Sequence, residues 1–276
     1  MNFIDHKRVQ IEDVEITLAQ PTQLNIQWVG QEEVIKQLLA AWMTIDERDL
    51  PFNPRVIGKP GVGKTTLAYA AARRLGKAVY MFQATMDTRP EDLIITPVVT
   101  SGATISYAAS SLVTAMIRGE VCIIDEGNRM SEKSWASLAP LLDDRRYVES
   151  LVSGIQIPAH TGFLFAVTMN DDTSTYEIPE YIHSRLQPQI YLDFPEKDEE
   201  KMILKENLPF VDEEILEYVV GFLQRAHKND EVYTVRDGIN IARYAAKLVK
   251  SEGLSVVDAL QEAVSMTLGS EVVQYL

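Results

Sequence analysis

The sequence predicts an α/β fold, a parallel sheet covered by helices, followed by a smaller all-helical domain. Three observations carry that prediction. Short strand-like apolar runs alternate with helical periodicity as far as Pro195. A glycine-rich stretch joins a strand to a helix at residues 58–65, and beyond Pro195 only helical periodicity remains. A length of 276 residues fits about two domains with a sizeable buried core.

After a polar leading segment, residues 32–45 place Val34, Ile35, Leu38, Leu39 and Trp42 at helical spacing until Pro51 and Pro54 break the pattern. A short strand is expected at 55–57, an alanine-rich helix at 65–75 and a strand at 78–83. A helix over 111–118 leads to a compact apolar strand at 121–124. A helix over 132–142 and strands at 163–167 and 190–194 complete the first domain, residues 1–195. The second domain, residues 196–276, holds helices over 198–206, 213–226, 235–251 and 256–267, separated by Pro209, the polar stretch 227–230 and Gly253. The acidic runs 196–200 and 212–214 fall near helix starts, where carboxylates suit the positive dipole end.

Composition narrows the function classes. The net charge is −14, shared as −7 and −7 between residues 1–195 and 196–276, so neither part is a basic arm for a phosphate backbone. Nucleic acid is therefore not the expected partner. The single cysteine, Cys122, excludes an internal disulfide or a cysteine zinc cluster and reads as a core residue. His6, His160, His183 and His227 are too dispersed for a metal site. Residues 1–10 are charged from Asp5 onward and lack the apolar stretch of a signal peptide. No apolar run reaches the ~18 residues of a bilayer span. The expectation is a cytoplasmic protein with no membrane contact.

The strongest chemistry is Gly58-Lys59-Pro60-Gly61-Val62-Gly63-Lys64-Thr65, a full match to G-x-x-x-x-G-K-[ST] between a strand and a helix. Glycines let the backbone wrap an anion, and the helix N-terminus adds a positive dipole. Lys64 is expected on the β- and γ-phosphates and the Thr65 hydroxyl on Mg²⁺. Gly58, Pro60, Gly61, Val62, Gly63, Lys64, Thr65 and Thr66 are thus the expected nucleotide-binding residues. Such a loop needs a carboxylate for the metal and a group to orient water. The run Val121-Cys122-Ile123-Ile124-Asp125-Glu126 supplies both, with Asp125 as the metal holder and Glu126 as the base.

Together these residues resemble an AAA+ ATPase over nearly the whole chain from Trp28 onward. The resemblance implies a three-layer P-loop core with a C-terminal helical lid, a ring of subunits expected to be a hexamer, and ATP with Mg²⁺. Trp28-Val29-Gly30-Gln31 is similar to the segment that packs near adenine, which adds Gly30 to the nucleotide site. Val167-Thr168-Met169-Asn170 is similar to sensor 1, which assigns Asn170 to the γ-phosphate or its water.

Within the superfamily the likeness is to the MoxR group, including CbbQ- and NorQ-like ATPases. It rests on Asp125-Glu126-Gly127-Asn128-Arg129-Met130, on residues 141–146, and on Ile157-Pro158-Ala159-His160 before residues 163–166. Gly127 departs from the bulky residue usual there. Asp92-Leu93 is similar to a D-L-hydrophobic-G segment, with Ile94-Ile95 where the glycine is expected. Residues 96–109, with a turn at Ser101-Gly102, and residues 145–158, around Ser153-Gly154, read as two hairpin inserts. The resemblance gives them substrate or subunit contacts.

It also assigns the arginines. Residues 178–186 are similar to an l-P-E-x-x-x-x-R-f segment, making Arg185 the arginine finger, and Arg236 in Thr234-Val235-Arg236-Asp237 the sensor-2 arginine. Arg129, Arg145 and Arg146 are further candidates to act in trans, and Gln83 a partner holding Glu126 inactive. The implied function is ATP-driven remodelling of a protein client, with a von Willebrand factor A domain as the family's typical partner. A McrB-like or helicase-loader-like nucleotidase, a metal-chelatase ATPase subunit and a non-hydrolysing scaffold are the rival readings.

Overall fold

The computed structural model describes residues 2–3, 5, 7–25, 27–99, 105–171, 178–229 and 231–276. His6 and the expected turn at Ser101-Gly102 lie outside the described residues. Strands β1 (Asn2–Phe3), β2 (Arg8–Ile11) and β3 (Val14–Thr17) precede α1 (Glu32–Trp42). Then β4 (Arg55–Gly58) runs through the glycine-rich loop to α2 (Lys64–Arg74) and β5 (Val79–Gln83). The short α3 (Pro90–Leu93), β6 (Ile95–Val99) and β7 (Ile105–Ala109) come before α4 (Ser111–Arg118) and β8 (Val121–Asp125). Next are α5 (Glu132–Leu138), β9 (Tyr147–Ser150), β10 (Ile155–Pro158), β11 (Leu164–Asn170), α6 (Glu180–His183) and β12 (Gln189–Tyr191). Four longer helices follow: α7 (Lys197–Asn207), α8 (Glu213–Lys228), α9 (Val235–Glu252) and α10 (Val256–Leu268).

The expected parallel sheet is present, in the order β12-β4-β11-β8-β5, with every neighbouring pair parallel. All seven residues of its central strand, β11, are buried, as a strand covered on both faces requires. The chain leaves β4 for the β5 edge and returns through β8 to β11, so the ends of β4, β8 and β11 meet where open α/β sheets bind ligands. Helix α5 stops at Leu138, short of the expected 142, because Pro140 has no amide hydrogen to donate to the helix.

The leading segment is a correction. Residues expected to be merely polar form β1, β2 and β3, paired antiparallel, and β3 runs parallel to β7. The insert β6–β7 is an antiparallel hairpin, so the whole is a second five-stranded sheet, β1-β2-β3-β7-β6. Strand β2 alternates exposed Arg8 and Gln10 with buried Val9 and Ile11, and Ile16 and Leu18 are buried as well. A four-residue alternation is too brief to stand out, and β7, the strand that ties the segment to the rest of the sheet through β3, lies about ninety residues away. The other insert is the antiparallel pair β9–β10, with Gly154 in left-handed backbone at its turn.

The chain divides into two compact units. One comprises Met1–Ile26, Glu33–Gly58 and Lys64–Tyr191; the other comprises Gln27–Glu32, Lys59–Gly63 and Leu192–Leu276. The second unit therefore takes two short segments that a single cut after Pro195 assigns to the first. Its core is built by Leu204, Ile215, Val219, Phe222, Leu223, Ile241, Ala245, Leu260 and Val264. Helices α8 and α9 approach closely at Gly238, where a Cβ would stand 2.6 Å from Leu223 Cδ1.

Helix α7 buries Glu200 completely. One of its oxygens accepts a 3.0 Å hydrogen bond from Gln224 Nε2, and the other has no hydrogen-bond partner among the described residues. Burial pushes its pKa from the ordinary 4.5 up to about 7, against a small opposing pull from Gln224. Folding therefore favours the neutral acid. That stabilisation is fully present below about pH 4.5 and is lost as pH rises through about 7. Glu200→Gln, which stays neutral, is expected to exceed the wild type in stability at pH 8 by up to about 3 kcal/mol, with the gain vanishing near pH 4. Urea midpoints at the two pH values check this; a difference independent of pH would refute it.

Candidate active site

Register places the site before any side chain is considered. On β11, Val167 pairs with Ile124 of β8 and Asn170 with Gly58 of β4, so Thr168 lies beside the end of β8 and Asn170 beside the start of the glycine-rich loop. Asp125 Oδ1 accepts a 2.7 Å hydrogen bond from Thr65 Oγ1 and a short one from Thr168 Oγ1. The Thr168 hydroxyl in turn accepts from the Glu126 amide at 3.1 Å. Lys64 is buried, and its ammonium donates to the Gly58 carbonyl at 2.9 Å. Lys64, Thr65, Asp125, Glu126 and Asn170 are thus gathered at one edge of the sheet.

Glu126 leaves β8 in left-handed backbone, with φ +55°. Its carboxylate meets Arg129 Nε at 2.5 Å, with both side chains partly exposed. Gln83, expected to be the partner of Glu126, instead donates to the Ala84 carbonyl. Arg129 therefore contacts the expected base within its own chain. Asn128 is buried and brackets the Asn170 backbone, its Nδ2 donating to Asn170 O at 2.9 Å and its Oδ1 accepting from Asn170 N at 3.4 Å. Thr168 and Asn128 are positioning residues to which the motifs of the sequence assign no role. The available signal was that Thr168 and Asn170, two apart on one strand, share a face.

Gly127 has a steric cause. A Cβ there would lie 2.3 Å from Val167 Cγ2 and 3.2 Å from the Trp135 ring. The bulk expected at this position is supplied by those two neighbours.

The middle of the loop, Lys59–Gly63, packs within the second unit. Gly61 has φ +84°, and a Cβ on it would meet Thr234 Oγ1 at 2.7 Å; Thr234 is the N-cap of α9, its amide bonded to Asp237. The ring of Trp28 lies against Gly63, and its indole donates to the Gly30 carbonyl at 2.6 Å. Gly30 sits against the Glu199 side chain, which also accepts from the Gln31 amide at 2.8 Å. The Lys59 ammonium stands 4.8 Å from the Phe194 ring centre, and Phe194 stacks on His227 at 3.9 Å. Burial, reinforced by Lys59, lowers the His227 pKa, and a hydrogen bond to Tyr233 O works against it. Val62 is buried, Pro60 and Arg236 are exposed, and Thr66 lies in the first turn of α2.

The other arginines are engaged elsewhere. Arg185 contacts Asp143 at 3.3 Å and donates to Tyr181 O. Among the described residues no hydrogen bond joins it to Thr65 or Asp125. Arg145 pairs with the same Asp143 at 2.8 Å, and chiefly through that pairing the Asp143 carboxyl is held down to about 2. Arg146 turns inward to the Phe163 carbonyl.

Comparison with known proteins fits this geometry. Residues 55–186 match the AAA domain (dynein-related subfamily). The chain is similar to RuvB, a Holliday junction branch migration complex subunit of Pseudothermotoga lettingae, at 27% identity over 133 residues, 48% of this chain and 33% of that protein. It is similar to NorQ of Paracoccus denitrificans at 31% over 141 residues, 51% of this chain and 49% of that one. It therefore spans half or less of those two relatives. A Staphylococcus epidermidis protein without an assigned role is 24% identical over 219 residues, 76% of this chain and 81% of that one. The solved structure of the Thermotoga maritima RuvB Holliday junction branch migration motor superposes with a TM-score of 0.59 at 20% identity, over 86% of this chain and 70% of that one. The fold is the AAA+ P-loop fold.

Because Gly127 faces Val167 and Trp135, Gly127→Ala is expected to destabilise the chain by roughly 1–3 kcal/mol. Adding Val167→Ala should recover part of the loss. Denaturant melts of the single and double variants check this, and strictly additive losses would count against the proposed clash.

Proposed function

We propose that this chain is a Mg²⁺-dependent ATPase that works in a ring, expected to be hexameric, and remodels or activates a protein partner in the manner of MoxR-type chaperones. The observation that carries this reading is the 2.7 Å hydrogen bond from Thr65 to Asp125, at the end of a buried strand and one residue before Glu126. A hydroxyl and a carboxylate fixed on each other form a hard oxygen donor pair that suits Mg²⁺, so Thr65 and Asp125 are the residues that would hold it. The positive φ of Gly61 and Gly63 suits a loop wrapped around phosphates. Bound there, Mg²⁺ supplies polarisation of the phosphoryl oxygens.

The chain's own residues do the rest. Lys64 offsets charge on the β- and γ-phosphates. Glu126 takes a proton from water as its oxygen bonds to the γ-phosphorus; the bond to the β,γ-bridging oxygen breaks, leaving ADP and phosphate. The contact with Arg129 is partly exposed and contributes ~1 kcal/mol or less, so water can compete for the carboxylate. Asn170, its backbone fixed by Asn128, orients the water or the γ-phosphate. Arg236, exposed in the first turn of the helix whose cap packs on Gly61, serves as the sensor-2 arginine. Arg185 acts as the finger on a neighbouring subunit's nucleotide.

Client contact falls to the two inserts. Leu151 and Val152 at the β9–β10 turn, and Val98, Val99 and Ile105 on β6–β7, are exposed apolar side chains suited to a protein partner. A von Willebrand factor A domain is the partner class we favour, in the cytoplasm; no described helix is long and apolar enough to cross a membrane. The likeness to RuvB favours a second reading, a motor on nucleic acid. ATP turnover stimulated by DNA and lost steeply with added salt would select it.

Glu126→Gln is expected to keep ATP binding, lose on the order of 10²-fold or more in turnover, and accumulate assembled rings. Undiminished turnover would remove the base assignment. Lys64→Ala is expected to lose nucleotide affinity. Arg185→Ala and Lys64→Ala subunits, each inactive alone, are expected to recover activity when mixed, and no recovery at any ratio would refute a finger acting in trans.

A further inference from the structure

At the start of β4, Arg55 is 4% exposed, a burial that guanidinium groups rarely reach without a carboxylate partner. Here none is present among the described residues. Its Nη1 donates to His183 Nδ1 at 2.7 Å, and its Nε is buried without a hydrogen-bond partner among the described residues. Because guanidinium only donates, this contact fixes His183 Nδ1 as the acceptor. Burial lowers the Arg55 pKa from its ordinary value, against an opposing pull from Tyr191.

Arg55 is not enclosed by apolar packing. It lines an open surface concavity of about 700 Å³ together with Glu180, Tyr181, His183, Ser184, Gln187 and Gln189, all six of them exposed. Besides one acid, the walls offer a buried cation, two hydroxyls, two amides and an imidazole. Among the described lining residues the acid is Glu180, which is exposed like the wall side chains other than Arg55, and no ion pair joins it to Arg55 there. A polar cavity with a buried, uncompensated guanidinium is complementary to an oxyanion, which a fork of N–H donors binds in bidentate fashion.

We propose that this cavity binds a small oxyanion, a carboxylate or phosphate group, with Arg55 as the anchoring cation and Ser184 and the two glutamines as further donors. It is separate from the phosphate loop. Arg55 and Gly58 are the two ends of β4, roughly 10 Å apart along an extended strand. The proposal does not depend on nucleotide hydrolysis and stands or falls without it.

His183 is the local reporter. In the full-length chain with labelled histidines, inorganic phosphate and, separately, succinate are titrated while the His183 ring signals are followed by NMR. A saturating shift with a midpoint at or below about 1 mM is expected for at least one probe, weakened at least ~10-fold in Arg55→Gln and unchanged in Lys64→Ala. A response that stays linear for both anions overturns the proposal, as does an equal midpoint in Arg55→Gln. Loss of the shift in Lys64→Ala would trace the signal to the phosphate loop and also overturn it. Should Arg55→Gln not fold, Arg55→Lys, which keeps the charge but not the fork, must bind more weakly; an unchanged midpoint refutes the role of Arg55. A His183 shift that follows protein concentration with no anion added would replace the small anion by an acidic side chain of a second copy.

Discussion

One carboxylate oxygen, Asp125 Oδ1, joins three segments that are far apart in sequence. It accepts from Thr65 at the start of α2 and from Thr168 on β11, while itself ending β8. The same Thr168 hydroxyl receives the Glu126 amide, so the turn that carries the proposed base hangs from this one node. The node is part-buried, with Thr168 fully so, and away from water a hydrogen bond left unmade costs more than a made one contributes. That asymmetry holds the three segments in register more firmly than any single bond strength suggests.

Around the node the chain fits by removing bulk as much as by adding contacts. Gly127 leaves room for Val167 and Trp135, Gly61 for Thr234, and Gly30 for Glu199. Gly61 and Gly30 also adopt positive φ, a backbone other residues reach at a cost. The loop thereby contributes its ends, Gly58 and Lys64, to one compact unit and its middle to the other. Glu199 and Thr234, both in the helical unit, hold the segments around Gly30 and Gly61 through backbone and close packing.

The second sheet gives the β6–β7 hairpin a scaffold. An isolated two-stranded hairpin is marginal in water; this one is extended by the N-terminal strands β1, β2 and β3, with Val9, Ile11 and Ile16 buried beneath it. Its exposed Val98, Val99 and Ile105 are thus presented by a stable element. Strand β4, paired with the edge strand β12, holds Arg55 at the end opposite the phosphate loop, leaving one sheet with polar sites at both ends of a single strand.

By itself the sequence determined the local chemistry. The loop from Gly58 to Thr65, the strand ending in Asp125-Glu126, and the four helices beyond Pro195 are readable because each signal is contiguous and follows one period or one motif. Only the tertiary structure decided which distant groups meet. That Thr168 bridges Asp125 and Glu126, that Arg129 rather than Gln83 faces Glu126, that residues 8–17 join the β6–β7 insert, and that Arg55 is buried with no carboxylate partner among the described residues all depend on strand register and packing across long sequence separations. Gly127 shows the division most plainly. In sequence it is a departure from the expected bulky residue; in the fold it is the space that Val167 and Trp135 require.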